Sequence, residues 1–119
     1  MPKLLIVDDE IDVREFAKRF FLKRNIEVFT ASGGGDALQI IGTERPDLVL
    51  LDVQMEGING IEMLKKLRAG NNRVKVIMVT GAEDINIINE ANLLDVKGYI
   101  HKPLILEELE KIVLAELNS

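Results

Sequence analysis

The sequence predicts an α/β domain built on a parallel sheet, and three observations carry that reading. Apolar runs of strand length alternate along the chain with stretches of helical period. Four of those runs lead into polar or charged residues. Leu4–Val7 leads to Asp8 and Asp9, Leu48–Leu51 to Asp52, Val76–Val79 to Thr80, and Tyr99–Ile100 to Lys102 and Pro103. The length of 119 residues suits one domain, and a hydrophobic share of 47% is enough for a packed core and excludes a disordered chain.

The elements follow in order. A first strand is expected near 3–7, then a helix near 10–24. In that helix Val13, Phe16, Ala17, Phe20 and Phe21 form one apolar stripe, with Phe16 read as core and Val13 as either core or part of a docking face beside the cleft, while Arg14, Lys18, Arg19, Lys23 and Arg24 lie mostly elsewhere. A second strand near 26–31 precedes Gly33-Gly34-Gly35. With no Gly-Lys-Ser/Thr following, those glycines read as a flexible entry to a helix near 35–45, not as a phosphate loop. Pro46 cannot extend that helix. The third strand falls near 48–52, with helices near 60–69 and 84–94 on either side of a fourth strand near 74–79. A fifth strand near 98–101 and a helix near 105–117 complete the pattern. Glu107, Glu108 and Glu110 sit in the opening turns of the last helix, where acids suit the helix dipole.

Right-handed crossovers are the default for such units. Five strands joined this way, with helices on both faces, give a flavodoxin-like doubly wound sheet of order 2-1-3-4-5. The chain ends right after the fifth helix, so one domain over residues 1–119, with no output domain, is expected.

Composition removes several function classes. Fifteen basic residues against twenty acidic ones give a net charge of −5, which argues against direct nucleic-acid binding. There is no cysteine for disulfides or thiolate metal sites. The apolar runs are too short to span a bilayer, and Met1-Pro2-Lys3 leaves no room for a signal peptide before the first strand. A cytoplasmic location, away from membranes, is the expectation. His101 is the only histidine and has no partner at ligand spacing, so it reads as a solvated strand residue.

The chemistry follows from the strand ends. Parallel strands deliver their carboxyl ends to one sheet edge, where ligands of open α/β sheets bind. Asp8, Asp9 and Asp52 would gather there and repel one another unless a cation joins them. Oxygen ligands without histidine or cysteine point to Mg²⁺. A carboxylate can also attack phosphorus to give an aspartyl phosphate, a reaction that depends on positioning and charge neutralisation. Lys102 can bind a phosphoryl oxygen through a charged hydrogen bond, and the Thr80 hydroxyl can donate to another. Each Asp, or the Thr, alone would pass as a helix cap or a turn former. Together they make a complete set for phosphorylating Asp52.

These residues also carry a family resemblance. Ile6-Val7-Asp8-Asp9-Glu10, Arg45-Pro46-Asp47 through Asp52, Met55, Gly60, Val79-Thr80, Gly98-Tyr99 and Lys102-Pro103 together resemble the receiver domain of two-component response regulators. The resemblance covers essentially the whole chain. It implies that Asp52 takes a phosphoryl group from a histidine kinase or phosphotransfer protein and that the chain then signals to a downstream protein target. It implies direct Mg²⁺ ligation by Asp9, Asp52 and the backbone carbonyl of Gln54, with Asp8 acting through a metal-bound water. Thr80 and Tyr99 match the family's switch pair, Lys102 its phosphate-contacting lysine, and Lys102-Pro103 a bond that is usually cis. The chain departs from the family in having Glu56 where a proline often follows Met55. Gln54 and Ala82 occupy variable sites that tune phosphoryl lifetime in the family.

The implied role is a phosphoacceptor switch that can catalyse its own phosphorylation and dephosphorylation, and no turnover enzyme for a metabolite. Two alternatives stand beside it. A Mg²⁺-dependent phosphohydrolase would commonly carry a second acid two residues after its nucleophile, where this chain has Gln54. A phosphorylation-independent interaction module would have no need of the acceptor set.

Overall fold

The computed structural model describes residues 1–53, 59–81 and 85–118, the last segment with backbone only for 85–87. All ten expected elements are present in the expected order: β1 (Lys3–Val7), α1 (Ile11–Leu22), β2 (Glu27–Ala31), α2 (Gly34–Glu44), β3 (Leu48–Asp52), α3 (Gly60–Ala69), β4 (Lys75–Thr80), α4 (Ile85–Leu93), β5 (Gly98–His101) and α5 (Leu106–Leu117). The strands form one parallel sheet of order β2-β1-β3-β4-β5. No helix among the described residues is long and apolar enough to cross a membrane.

The continuous apolar runs are explained by burial on both faces of the sheet. Strand side chains alternate, so each run divides between two cores. Leu4, Ile6, Leu48, Leu50, Ile77 and Val79 face α1 and α5, meeting Ala17, Phe21, Leu109 and Val113. Leu5, Val7, Val49, Leu51, Val76 and Met78 face the other way, toward Ala37 and Ile41 of α2, Met63, Leu64 and Leu67 of α3, and Ala91 of α4.

One part of the α1 stripe is corrected. Ala17 and Phe21, four residues apart, are buried, but Phe16 is 46% exposed. Phe16 sits one residue round the helix from Ala17, just beyond the arc that the sheet covers. Phe20 is intermediate, edge-on to Phe21, with the Arg24 guanidinium 3.6 Å above its ring.

The returns from helix to strand share a device that the residue pattern had not singled out. Asn25, Arg45, Asn71 and Asp95, which follow α1 to α4, all take positive φ. Asn and Asp tolerate that left-handed region better than most residues, so three of the four are the expected types. Arg68 locks the last two of these returns. Its guanidinium, 8% exposed, donates to the carbonyls of Leu94 (2.7 Å), Asn72 (2.8 Å), Val74 (3.0 Å) and Asp95 (3.1 Å). Burial draws its pKa down, with the Asp95 charge opposing.

Gly60 fixes how closely α3 can begin to the end of β3. A Cβ at this position would lie 2.5 Å from the Asp52 carbonyl oxygen and 3.0 Å from the Val53 Cα. Both obstacles are backbone, so the strand tip that carries Asp52 would have to move. Gly42, inside α2, has nothing within 4 Å of its missing Cβ. Gly60→Ala is therefore expected to lower stability by about 1–3 kcal/mol, and Gly42→Ala to raise it by roughly 0.5–1 kcal/mol. Urea denaturation of the two variants beside wild type checks both signs.

Candidate functional site

The register brings the four strand ends to one edge. Val7 pairs with Leu51, Asp52 with Val79, and Thr80 with His101. Backbone bonds carry this alignment past the strands: Asp8 N–H donates to the Ala31 carbonyl (3.1 Å), Val53 N–H to Val79 (3.0 Å) and Lys102 N–H to Thr80 (2.8 Å). Asp8, Asp52, Thr80 and Lys102 thus enter the cleft from β1, β3, β4 and the end of β5. The Lys102-Pro103 bond is cis, as the resemblance implies.

At the centre is a shared ammonium. Lys102 Nζ lies 3.0 Å from Asp52 Oδ2, as hydrogen-bond donor, and 3.4 Å from Asp8 Oδ2. The two carboxylates are only 2% and 3% exposed, so a cation beside them offsets a large desolvation cost. Burial pulls the Lys102 pKa down, but the Asp52 hydrogen bond and the charges of Asp52 and Asp8 outweigh it, and the net direction is up. The repulsion expected among the carboxylates is therefore partly relieved by a residue of the chain itself.

Asp8 is held from two sides. Its Oδ1 accepts the Glu10 N–H at 2.9 Å, an Asx-type turn at the entry to α1. Its carbonyl accepts from the Arg14 guanidinium at 2.7 Å. Carboxylate oxygens of Asp8, Asp9 and Glu10 fall within 4.8 Å of one another, with Asp9 and Glu10 exposed and Asp8 buried. An all-oxygen donor set of this kind suits Mg²⁺, so the residues present fit that ion. Glu10 had not been singled out as a possible ligand, although it directly follows the acidic pair. Arg14, one helical turn further on, was likewise placed only off the apolar stripe of its helix.

Thr80 is buried at the tip of β4. Tyr99 is half-buried against α4, its hydroxyl donating to the Ile88 carbonyl at 3.1 Å and meeting the Asn92 side chain. Burial raises its pKa. His101 is exposed, as expected for a solvated strand residue. Gln54, read as a carbonyl ligand, lies outside the described residues, as do Met55, Glu56 and Ala82.

Comparison with known proteins bears on the family and the fold. The sequence profile of the response regulator receiver domain matches residues 4–114. Sporulation initiation phosphotransferase F of Bacillus subtilis is 36% identical over 111 residues, covering 93% of this chain and 90% of that protein. Regulatory protein AtoC of Escherichia coli is 35% identical over 93% of this chain, but the match spans only 24% of that longer protein. Among solved structures, chemotaxis protein CheY4 of Vibrio cholerae superposes with a TM-score of 0.91 at 28% identity, covering 98% of this chain and 99% of that one. A CheY-like receiver domain protein of Methanospirillum hungatei JF-1 superposes with a TM-score of 0.93 at 27% identity, covering 99% and 94%.

Removing the shared ammonium should expose the cost of the buried carboxylates. Lys102→Met is expected to lose about 1–3 kcal/mol of stability in EDTA. Mg²⁺ should recover part of it through the acidic cluster. The pKa of Lys102 is raised on folding, so its contribution is complete below the ordinary lysine value and fades as pH rises through the folded value. Melting curves of wild type and Lys102→Met should therefore differ at pH 7 and converge in strong alkali.

Proposed function

Because the chain belongs to the response regulator receiver family, we propose that Asp52 accepts a phosphoryl group from a histidine kinase or histidine phosphotransfer protein, in a Mg²⁺-dependent reaction. The observation that carries the proposal is Asp52 itself: a buried carboxylate at the tip of a central strand, held 3.0 Å from a lysine ammonium that it shares with Asp8. Its relative in Bacillus subtilis is named a phosphotransferase, which supports phosphoryl chemistry at such a cleft.

In the proposed reaction an Asp52 oxygen bonds to phosphorus as the bond from phosphorus to the donor's imidazole nitrogen breaks. Asp8, Asp9, Asp52 and the Gln54 carbonyl would hold the metal, which when bound neutralises charge on the phosphoryl oxygens. The chain's own groups do the rest. Lys102 turns from Asp52 and Asp8 to a phosphoryl oxygen, keeping its charge in the cleft, and the Thr80 hydroxyl donates to another. The same groups would assist later hydrolysis by water. Thr80 moves toward the new charge and Tyr99 fills the vacated space, so the face made by α4, β5 and α5 repacks toward a protein target. Residues 1–119 serve as one receiver unit in this reading, acting on proteins in the cytoplasm and not directly on nucleic acid or membrane.

The donor must reach Asp52, so its docking face borders the cleft. A hollow of about 670 Å³ lies there, lined by Val13 and Phe16 of α1 and by Gly81, Lys102, Pro103 and Leu104. The exposure of Phe16 beside that hollow suits an apolar anchor for the donor.

Two outcomes test the proposal. With acetyl phosphate and Mg²⁺, wild type should gain one phosphoryl group by intact mass and Asp52→Asn none. An adduct that persists in the variant rejects Asp52 as acceptor. Phe16→Ala should slow transfer from the cognate kinase by roughly tenfold while labelling by acetyl phosphate stays at the wild-type rate, which separates docking from chemistry.

A further inference from the structure

The phenol of Tyr99 does not end in open solvent. Its ring packs against the core on the α4 side of the sheet, and its hydroxyl reaches Ile88 and Asn92. Those two residues are four apart on α4, one above the other on one face. A hydroxyl has one proton and two lone pairs, and an amide can present either its oxygen or its NH₂ group. The amide presents its oxygen, so the one phenol proton faces two acceptors on α4, Asn92 Oδ1 and the Ile88 carbonyl. A phenol is a protonated donor near neutrality, and burial raises its pKa further.

From this geometry we infer that Asn92 is a latch: a positioning residue that holds Tyr99 against α4 and sets how readily the switch leaves its resting state. The inference rests on the phosphoacceptor reading, in which Tyr99 moves toward the space left by Thr80. To make that move the hydroxyl must give up both partners. The Ile88 carbonyl is main chain and cannot be exchanged by substitution. Asn92 is exposed, so its side chain can change without disturbing the core. Weakening the resting pose favours the switched one. Any ligand that prefers the switched state must then bind more tightly by the same factor.

The chain provides its own reporter, since it contains one tyrosine and no tryptophan. With excitation beyond the phenylalanine band, all intrinsic emission comes from Tyr99. The probe is beryllofluoride with Mg²⁺, a phosphoryl analogue, titrated into wild type, Asn92→Ala, Tyr99→Phe and the double variant. Affinity is read in all four from the rise in melting temperature, and in the two that keep Tyr99 also from its emission.

Asn92→Ala should bind about two- to tenfold more tightly than wild type, the range that one neutral hydrogen bond supplies. Its tyrosine emission before ligand should also differ from wild type. In the Tyr99→Phe background the same substitution should change nothing, because the hydroxyl it acts on is gone. Equal or weaker binding by Asn92→Ala, or an equal gain in the Tyr99→Phe background, overturns the latch and leaves the phosphoacceptor reading standing. If wild type itself fails to bind beryllofluoride, the phosphoacceptor reading falls and the latch falls with it.

Discussion

Two carboxylates buried at a sheet edge and one ammonium between them set the terms for the rest of the molecule. Asp8 and Asp52 are almost inaccessible, and ionised groups in that position need a cation close by. Lys102 is fifty residues from Asp52 in sequence, so only tertiary structure can bring it there. That requires β5 to pair with β4 in the observed register, with the Lys102 N–H on the Thr80 carbonyl. It also requires β3 to lie between β1 and β4, and that central place is held by helices burying both of its faces. The two cores and the ion pairs are in this sense one construction: the apolar layers fix the strands, and the strand tips bring charges together that no local segment could.

The fold was legible because its strongest signal is also its main driving force. Strands buried on both faces are nearly unbroken apolar runs, and those at β1, β3 and β4 stand out from the amphipathic stretches between them. The acidic, hydroxyl and lysine residues at the strand ends were legible for a related reason. Parallel connectivity alone carries every strand's carboxyl end to the same side. The matched family profile adds to that reading and does not alter its logic.

What escaped the sequence depends on orientation or on distant partners. Helical period puts Phe16 at one edge of the α1 stripe and Phe21 at the other, but not where the sheet's cover ends, and Phe16 falls just outside it. The sharing of Lys102 between two acids depends on the separation of β1 and β3 tips, a quantity the sequence does not contain. Tyr99 could be read as a half-buried strand aromatic, yet its hydroxyl partners belong to α4. Glu10 is a different case. Its signal was in plain view beside Asp8 and Asp9, but a carboxylate at the start of a helix has an ordinary explanation, and only the folded turn gathers the three oxygens.

Arg68 carries a consequence of another kind. All four groups it grips are main-chain carbonyls, from Asn72 and Val74 on one return and from Leu94 and Asp95 on the next. Every residue type offers that same oxygen. Apart from the Asp95 charge, which opposes the effect of burial on the guanidinium, the identities of those neighbours are therefore uncoupled from it. The lengths of the two returns are not uncoupled, because one residue added or lost would carry a carbonyl out of reach. The buried arginine works as a ruler for loop length, tolerant of spelling and intolerant of insertion.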